Sequence, residues 1–218
     1  AGPTPGTGRS AAHGAPAACG RASITFALGS NDPTLAESTV IDEGGGTPLS
    51  KSATGFAGIV RLLDLTGETT VIARTEADVD NAALMIVTVT PDADTAALRA
   101  LARRRSFKAT LFVLPKWQTM PLPGHPGWET GLGRLPPEAV KAMRVAIAGK
   151  ARLLPEGKAL YRVEERPHYL LFDADLLDNI GMHDRARAEA AVALMRSSRV
   201  SAMKPSFAPF TSGPAGAA

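Results

Sequence analysis

Polar residues trail three apolar runs of this chain, and their side chains are the ones whose types could do chemistry. Leu84–Val89 is followed by Thr90 and Asp92, Thr110–Leu114 by Lys116 and Trp117, and His168–Phe172 by Asp173, Asp175, Asp178, Asn179 and His183. A lysine beside an indole can hold an anionic, partly planar ligand through its charge and the ring face. Asp173 and Asp175, two residues apart, can contact Mg²⁺ or pair with Lys116. The first use would make the chain a divalent-metal-dependent hydrolase or phosphotransferase. The second is an internal ion pair, and Asp-Ala-Asp after a strand also commonly caps a helix or turn. Thr90, Asp92, Lys116, Trp117, Asp173, Asp175 and Asn179 are therefore the candidate ligand-binding residues.

Other chemistries lack their residues. Nucleophilic catalysis on a strand-to-helix turn calls for Gly-x-Ser-x-Gly or its cysteine counterpart, and neither occurs. The single cysteine, Cys19, sits in an Ala/Gly/Pro-rich stretch and excludes an internal disulfide. His13, His125, His168 and His183 are too scattered for a zinc motif. Gly44-Gly45-Gly46 is not followed by the Gly-Lys-Ser/Thr of a nucleotide loop, and Gly131-Leu132-Gly133 lacks a third glycine and a preceding strand. No catalytic residue, resident metal or cofactor is assigned, and the reading leans away from an enzyme.

Positioning those polar groups is the task of the elements around them. Phe56, Ile59, Val60 and Leu63 fall at i, i+3, i+4 and i+7, a helix that Ser50 or Ser52 would cap and Gly67 would stop. Thr69–Ala73 is a β-branched strand, and Leu84–Val89 is apolar without interruption, as a strand covered on both faces must be. Asp92 or Asp94 opens a helix carrying Ala97, Leu98, Leu101 and Ala102, and Arg103-Arg104-Arg105 at its carboxyl end complements the dipole. Thr110–Leu114 and His168–Phe172 repeat the buried-strand pattern, and a last helix places Ala188, Ala191, Val192 and Met195 on one face. Between them, residues 115–167 read as a proline-rich loop through Pro126, a short helix from Pro137 to Ile147 and a β-like piece at Ala159–Val163.

Strands alternating with helices predict an α/β fold, an open, mostly parallel sheet in three layers of flavodoxin-like character. In such sheets ligands bind beyond the carboxyl ends of the strands, where the candidate residues lie. Trp117 and Trp128 flank Pro121, Pro123 and Pro126, a loop of rigid rings that inserts into a partner, touches a membrane surface or closes the edge of the domain.

With 218 residues, 44% hydrophobic and 21% charged, the chain can bury one core of ordinary size. Fourteen of the first twenty residues are Ala, Gly or Pro, and the end from Pro205 is similar, so both ends read as tails. The expected organisation is a flexible low-complexity segment over 1–46, a single α/β domain over 47–200 and a flexible tail over 201–218. Residues 1–100 carry 6 Lys and Arg against 11 Asp and Glu, and residues 101–218 carry 18 against 10. A basic half favours acidic headgroups or a phosphorylated ligand, but only 5% of residues are aromatic and no basic-aromatic alternation supports nucleic-acid binding. No stretch approaches the length of a membrane-spanning helix.

Several of these residues together resemble a bacterial family, the group called domain of unknown function 4350. The likeness runs through Lys51-Ser52-Ala53-Thr54-Gly55-Phe56, Val87-Thr88-Val89-Thr90-Pro91, Arg103-Arg104-Arg105, Leu114-Pro115-Lys116-Trp117 and Asp173-Ala174-Asp175-Leu176-Leu177-Asp178-Asn179-Ile180-Gly181. It covers roughly residues 45–198, with Thr54 where the family shows asparagine. The resemblance implies a soluble domain similar in fold to class I glutamine amidotransferases, without the catalytic cysteine. It also implies tethering on the periplasmic side of the bacterial inner membrane by helices absent from this chain. The partners implied are membrane proteins, including a MoxR-type ATPase system acting on the cell envelope. On that expectation the domain is a non-catalytic interaction or ligand-sensing module.

Overall fold

The computed structural model describes residues 23–29, 48–73, 76–80, 83–125, 128–157 and 159–203. His13, Cys19, Gly44–Gly46, most of the proposed N-terminal segment and the tail from Pro205 lie outside them.

Alternation within the apolar runs builds the sheet. In β3 (Leu84–Val89), Leu84 and Ile86 enter one core while Met85, Val87 and Val89 enter the other. Leu111 and Val113 alternate with Phe112 in β4 (Thr110–Val113), as Tyr169 and Leu171 do with Leu170 in β9 (His168–Leu171). A strand whose residues are all buried must be covered on both sides, and it is. One face receives Phe56, Ile59 and Leu63 from α1 (Ala57–Leu65) and its approach, with Ala191, Val192 and Met195 from α6 (Arg185–Met203). The other receives Val79 of α2 (Glu76–Asp80), Leu98 and Ala102 of α3 (Thr95–Arg104), and Met143 and Ile147 of α4 (Pro137–Ala148). Burying each of the larger side chains among them, Val, Leu, Ile, Phe or Met, is worth about 1.5–3 kcal/mol.

The chain is α/β with a mixed sheet. Its order is β2-β1-β3-β4-β9-β8-β7, with β2 (Thr69–Ile72) and β1 (Ser23–Gly29) at one side and β8 (Leu160–Val163) and β7 (Leu153–Pro155) at the other. The pairings from β2 to β9 are parallel, whereas β8 and β7 run antiparallel. Thus β3, β4 and β9 lie side by side and point the same way, which brings their trailing residues to one edge.

Four expectations are corrected. Residues 1–46 are not wholly outside the fold, because Ser23–Gly29 pairs between β2 and β3. At the other boundary α6 continues to Met203, past residue 200. Neither Ser50 nor Ser52 caps α1: the cap position is Phe56, without a side-chain bond, and the Ser50 hydroxyl donates to Ser52 Oγ at 2.9 Å. The stretch after Lys116 is not simply a loop but a hairpin, β5 (Trp117–Pro121) against β6 (Glu129–Arg134).

Arg105 is the other departure. Arg103 and Arg104 occupy the last turn of α3 as expected, and Arg104 grips Asp80 through Nε at 3.0 Å and Nη2 at 2.6 Å. Arg105, in contrast, is fully buried. It donates to Thr110 Oγ1 at 2.9 Å, to the carbonyls of Ala83 and Ala109 at 3.0 Å, and to Val79 O. Its guanidinium therefore ties the end of α2 to the starts of β3 and β4. Burial draws its pKa down to about 10, against the opposing pull of Asp80, so it remains a cation at neutral pH.

Candidate functional site

The carboxyl ends of β3, β4 and β9 carry the candidate residues, and the geometry divides them. After β4 the chain leaves through Pro115 into Lys116 and Trp117, the start of the hairpin. After β9 it turns through Asp173 into a 3-10 turn (Ala174–Leu176) and then α5 (Asn179–Met182). Lys116 Nζ donates to Asp173 Oδ1 at 2.8 Å and to Asp175 Oδ2 at 2.5 Å, while Trp117 Nε1 donates to Asp175 Oδ1 at 2.7 Å. Asp175 therefore receives a bond on each oxygen. Lys116 and Arg134 also lie over the Trp117 ring, 5.4 and 5.8 Å from its centroid. Burial alone would lower the Lys116 pKa, but the two carboxylates outweigh it and hold the ammonium above its ordinary value. These four residues form a lock that pins the hairpin to the segment after β9.

Asn179 serves another purpose. Its Oδ1 accepts from the Gly58 N–H at 2.8 Å, and its Nδ2 donates to the carbonyls of Ser50 at 3.1 Å and Ser52 at 2.6 Å. The amide of this candidate residue is engaged in holding the approach to α1, a structural clamp. Thr90 and Asp92 stand in the turn after β3, Asp92 exposed, and neither lines the cavity described below. The Ala93 N–H bonds to Thr90 O, and the residue that caps α3 is Asp94, which accepts from Ala96 and Ala97. His183 is exposed.

Behind the lock is a small cavity of about 30 Å³, lined on its apolar side by Phe56, Val89 and Val113 and on its polar side by Lys116, Trp117 and Asp178. That is room for a very few non-hydrogen atoms. Asp178 is the residue whose importance the sequence pattern hides. Its side chain is fully buried; Oδ1 accepts from the Gly181 N–H at 3.0 Å as the cap of α5, and Oδ2 has no hydrogen-bond partner among the described residues. Burial, reinforced by the neighbouring Asp175 charge, pushes its carboxyl up to about 7, while the Gly181 and Ile180 N–H groups and Lys116 pull the other way. Thr54 closes the rim by donating to Glu129 Oε2 of β6 at 3.1 Å.

Glycine is required where α5 meets the turn before it. A Cβ on Gly181 would sit 2.0 Å from the Asp175 carbonyl oxygen, so only glycine lets the backbone of α5 press against the residue that carries the lock.

As a metal pair, Asp173 and Asp175 would have to surrender Lys116, and Asp175 its indole bond as well. Among the described residues no group of three or more His, Cys, Asp or Glu side chains is arranged to hold a metal ion. No helix among the described residues is long and apolar enough to cross a membrane. Compared with known proteins, the chain matches no family model, no curated protein and no solved structure.

Proposed function

We propose that this chain is a non-catalytic recognition domain, the soluble extracytoplasmic part of a protein held at the bacterial inner membrane. Its fold is read as three-layered and flavodoxin-like, similar to class I glutamine amidotransferases. The observation that carries the reading is the lock. Lys116, Trp117, Asp173 and Asp175, the groups on which hydrolysis or phosphoryl transfer would depend, are engaged with one another and hold out a hairpin. That hairpin presents Trp128 (66% exposed), Leu132 (56%) and Met120 to solvent. An exposed indole offered on a two-stranded arm is the kind of side chain in which protein-binding hot spots are enriched. The partners proposed are membrane proteins of an envelope system that includes a MoxR-type ATPase, following the resemblance.

Capture from detergent-solubilised bacterial envelopes tests the reading. The wild-type chain retains a defined membrane protein, and a Trp128→Ser, Leu132→Ser double variant loses it while melting at the wild-type temperature. Equal capture by the two proteins refutes the hairpin as the recognition surface.

A further inference from the structure

The cavity behind the lock has a composition that selects a ligand. We propose that it is a binding site for a primary ammonium group on a short apolar stem, with Asp178 as its counter-ion and Phe56, Val89 and Val113 against the stem. The inference deepens the recognition reading by naming what this edge recognises.

Three observations carry it. Asp178 lines the cavity, is fully buried, and keeps one oxygen unpartnered although the other caps α5. A buried acceptor left bare is costly, and a ligand N–H supplies the missing donor. The edge is also short of positive charge: Asp173, Asp175, Asp178 and Glu129 gather around it, against Lys116 and Arg134. Lys116 directs two of its three N–H donors at Asp173 and Asp175, and none bonds Asp178 Oδ2. Finally, the walls are methyl, phenyl and proline surface in a space of about 30 Å³, which admits an ammonium and a carbon or two but no bulkier head. Burial raises the Asp178 pKa to about 7, and an arriving cation reverses that penalty by pairing with the ionised carboxylate.

The same chemistry is offered by a free small amine and by a lysine side chain of a polypeptide. The full chain is titrated at constant chloride with ethylammonium, with a capped tripeptide bearing a single lysine, with ethanol as the neutral isostere and with sodium as the ionic control. Chemical shifts of backbone amides around Val89, Val113 and Gly181 provide the readout. A ligand of so few atoms binds in the millimolar range at best. Saturable shifts with ethylammonium, absent with ethanol and sodium, establish a free-amine site. Saturation by the lysine peptide alone assigns the site to a polypeptide side chain. In either case Asp178→Asn, which keeps the cap of α5, weakens binding at least about tenfold. Val113→Leu, which fills the space and keeps the carboxylate, abolishes it. No saturable binding of either ammonium probe, or wild-type affinity in Asp178→Asn, overturns the proposal. If hairpin-dependent partner capture persists in that event, the recognition reading stands without it.

Discussion

Asp178 gives the domain an unusual dependence on pH. In the unfolded chain its carboxyl ionises near 3.8, whereas in the folded protein it holds its proton until about pH 7. Between those values the folded state binds more protons than the unfolded state, so this residue's contribution to stability falls as pH rises. It is fully present below about pH 4 and gone above about pH 7. A displacement of about three pKa units at about 1.4 kcal/mol each amounts to about 4 kcal/mol, a large part of the 5–15 kcal/mol typical of a domain. The side chain is fully buried, so little of this is lost to solvent screening. Asp178→Asn keeps the shape and the cap while removing the titration. His168 works in the opposite direction. Its Nε2–H donates to Arg105 O at 2.9 Å, its Nδ1 is buried without a partner, and burial above all lowers its pKa, so stability is lost as pH falls below about 6.5. The quantity to follow is therefore the difference in urea-unfolding free energy between Asp178→Asn and wild type. It should move in favour of the variant by about 1.4 kcal/mol per pH unit between about pH 4 and pH 7, then level off. A difference independent of pH across that window refutes the buried, proton-holding role of Asp178.

Other perturbations test the frame around the site. Arg105→Ala strips donors from the Val79, Ala83 and Ala109 carbonyls and from Thr110, and should cost about 4 kcal/mol in chemical denaturation, whereas Arg103→Ala on the exposed face should cost less than about 0.5 kcal/mol. Asn179→Ala leaves the Gly58 N–H and the Ser50 and Ser52 carbonyls without their partner and should lower stability by about 2–3 kcal/mol, read as a lower Tm. Because Asp173 and Asp175 are both bonded to Lys116, and Asp175 to Trp117 as well, Mg²⁺ should leave the wild-type Tm unchanged in a thermal melt; saturable stabilisation at millimolar Mg²⁺ would favour the hydrolase or phosphotransferase alternative.

How much of this was legible in the residues follows from how local each signal is. The runs that became β3, β4 and β9 are apolar on both faces, a pattern only a doubly covered strand explains, and their parallel arrangement follows from the helices between them. Ser23–Gly29 alternates Ile24, Phe26 and Leu28 with small or polar residues, a strand period obscured by the Ala/Gly/Pro-rich stretch before it, and its place between β2 and β3 is decided by pairing. The β5–β6 hairpin hid behind its prolines and glycines, which read as loop although the strands pair on either side of them. Within Arg103-Arg104-Arg105 nothing local separates the buried guanidinium from the exposed one, since only the helix rotation and the carbonyls of distant turns do so. The residue types alone allow Asp173 and Asp175 either to pair with Lys116 or to contact Mg²⁺, and only the fold brings the lysine within bonding distance of both. Asn179 looked like a ligand-binding group because an amide after a strand serves a loop clamp equally well.

The segment 173–181 now reads as a row of separate duties, and that separation is itself testable. Asp173 and Asp175 face the hairpin, Asp178 faces the cavity, and Asn179 faces the approach to α1, with Gly181 letting the backbone close up behind them. Asp175→Asn removes the charge that holds Lys116, while an amide oxygen can still accept from Trp117 Nε1. The ion pair is partly exposed, Lys116 by 21% and Asp175 by 14%, so global stability should fall by only about 1 kcal/mol. The hairpin, however, has few other anchors among the described residues: the Thr54–Glu129 bond and the Leu135 side chain, buried in the core at the base of β6, are the principal ones. Amide hydrogen exchange in β5 and β6 should therefore speed up by about fivefold or more in Asp175→Asn, while amides of α1 stay at wild-type rates because the Asn179 clamp is untouched. Uniform acceleration throughout the domain would mean that the lock and the clamp are one cooperative unit, and that the arm cannot be loosened without loosening the fold.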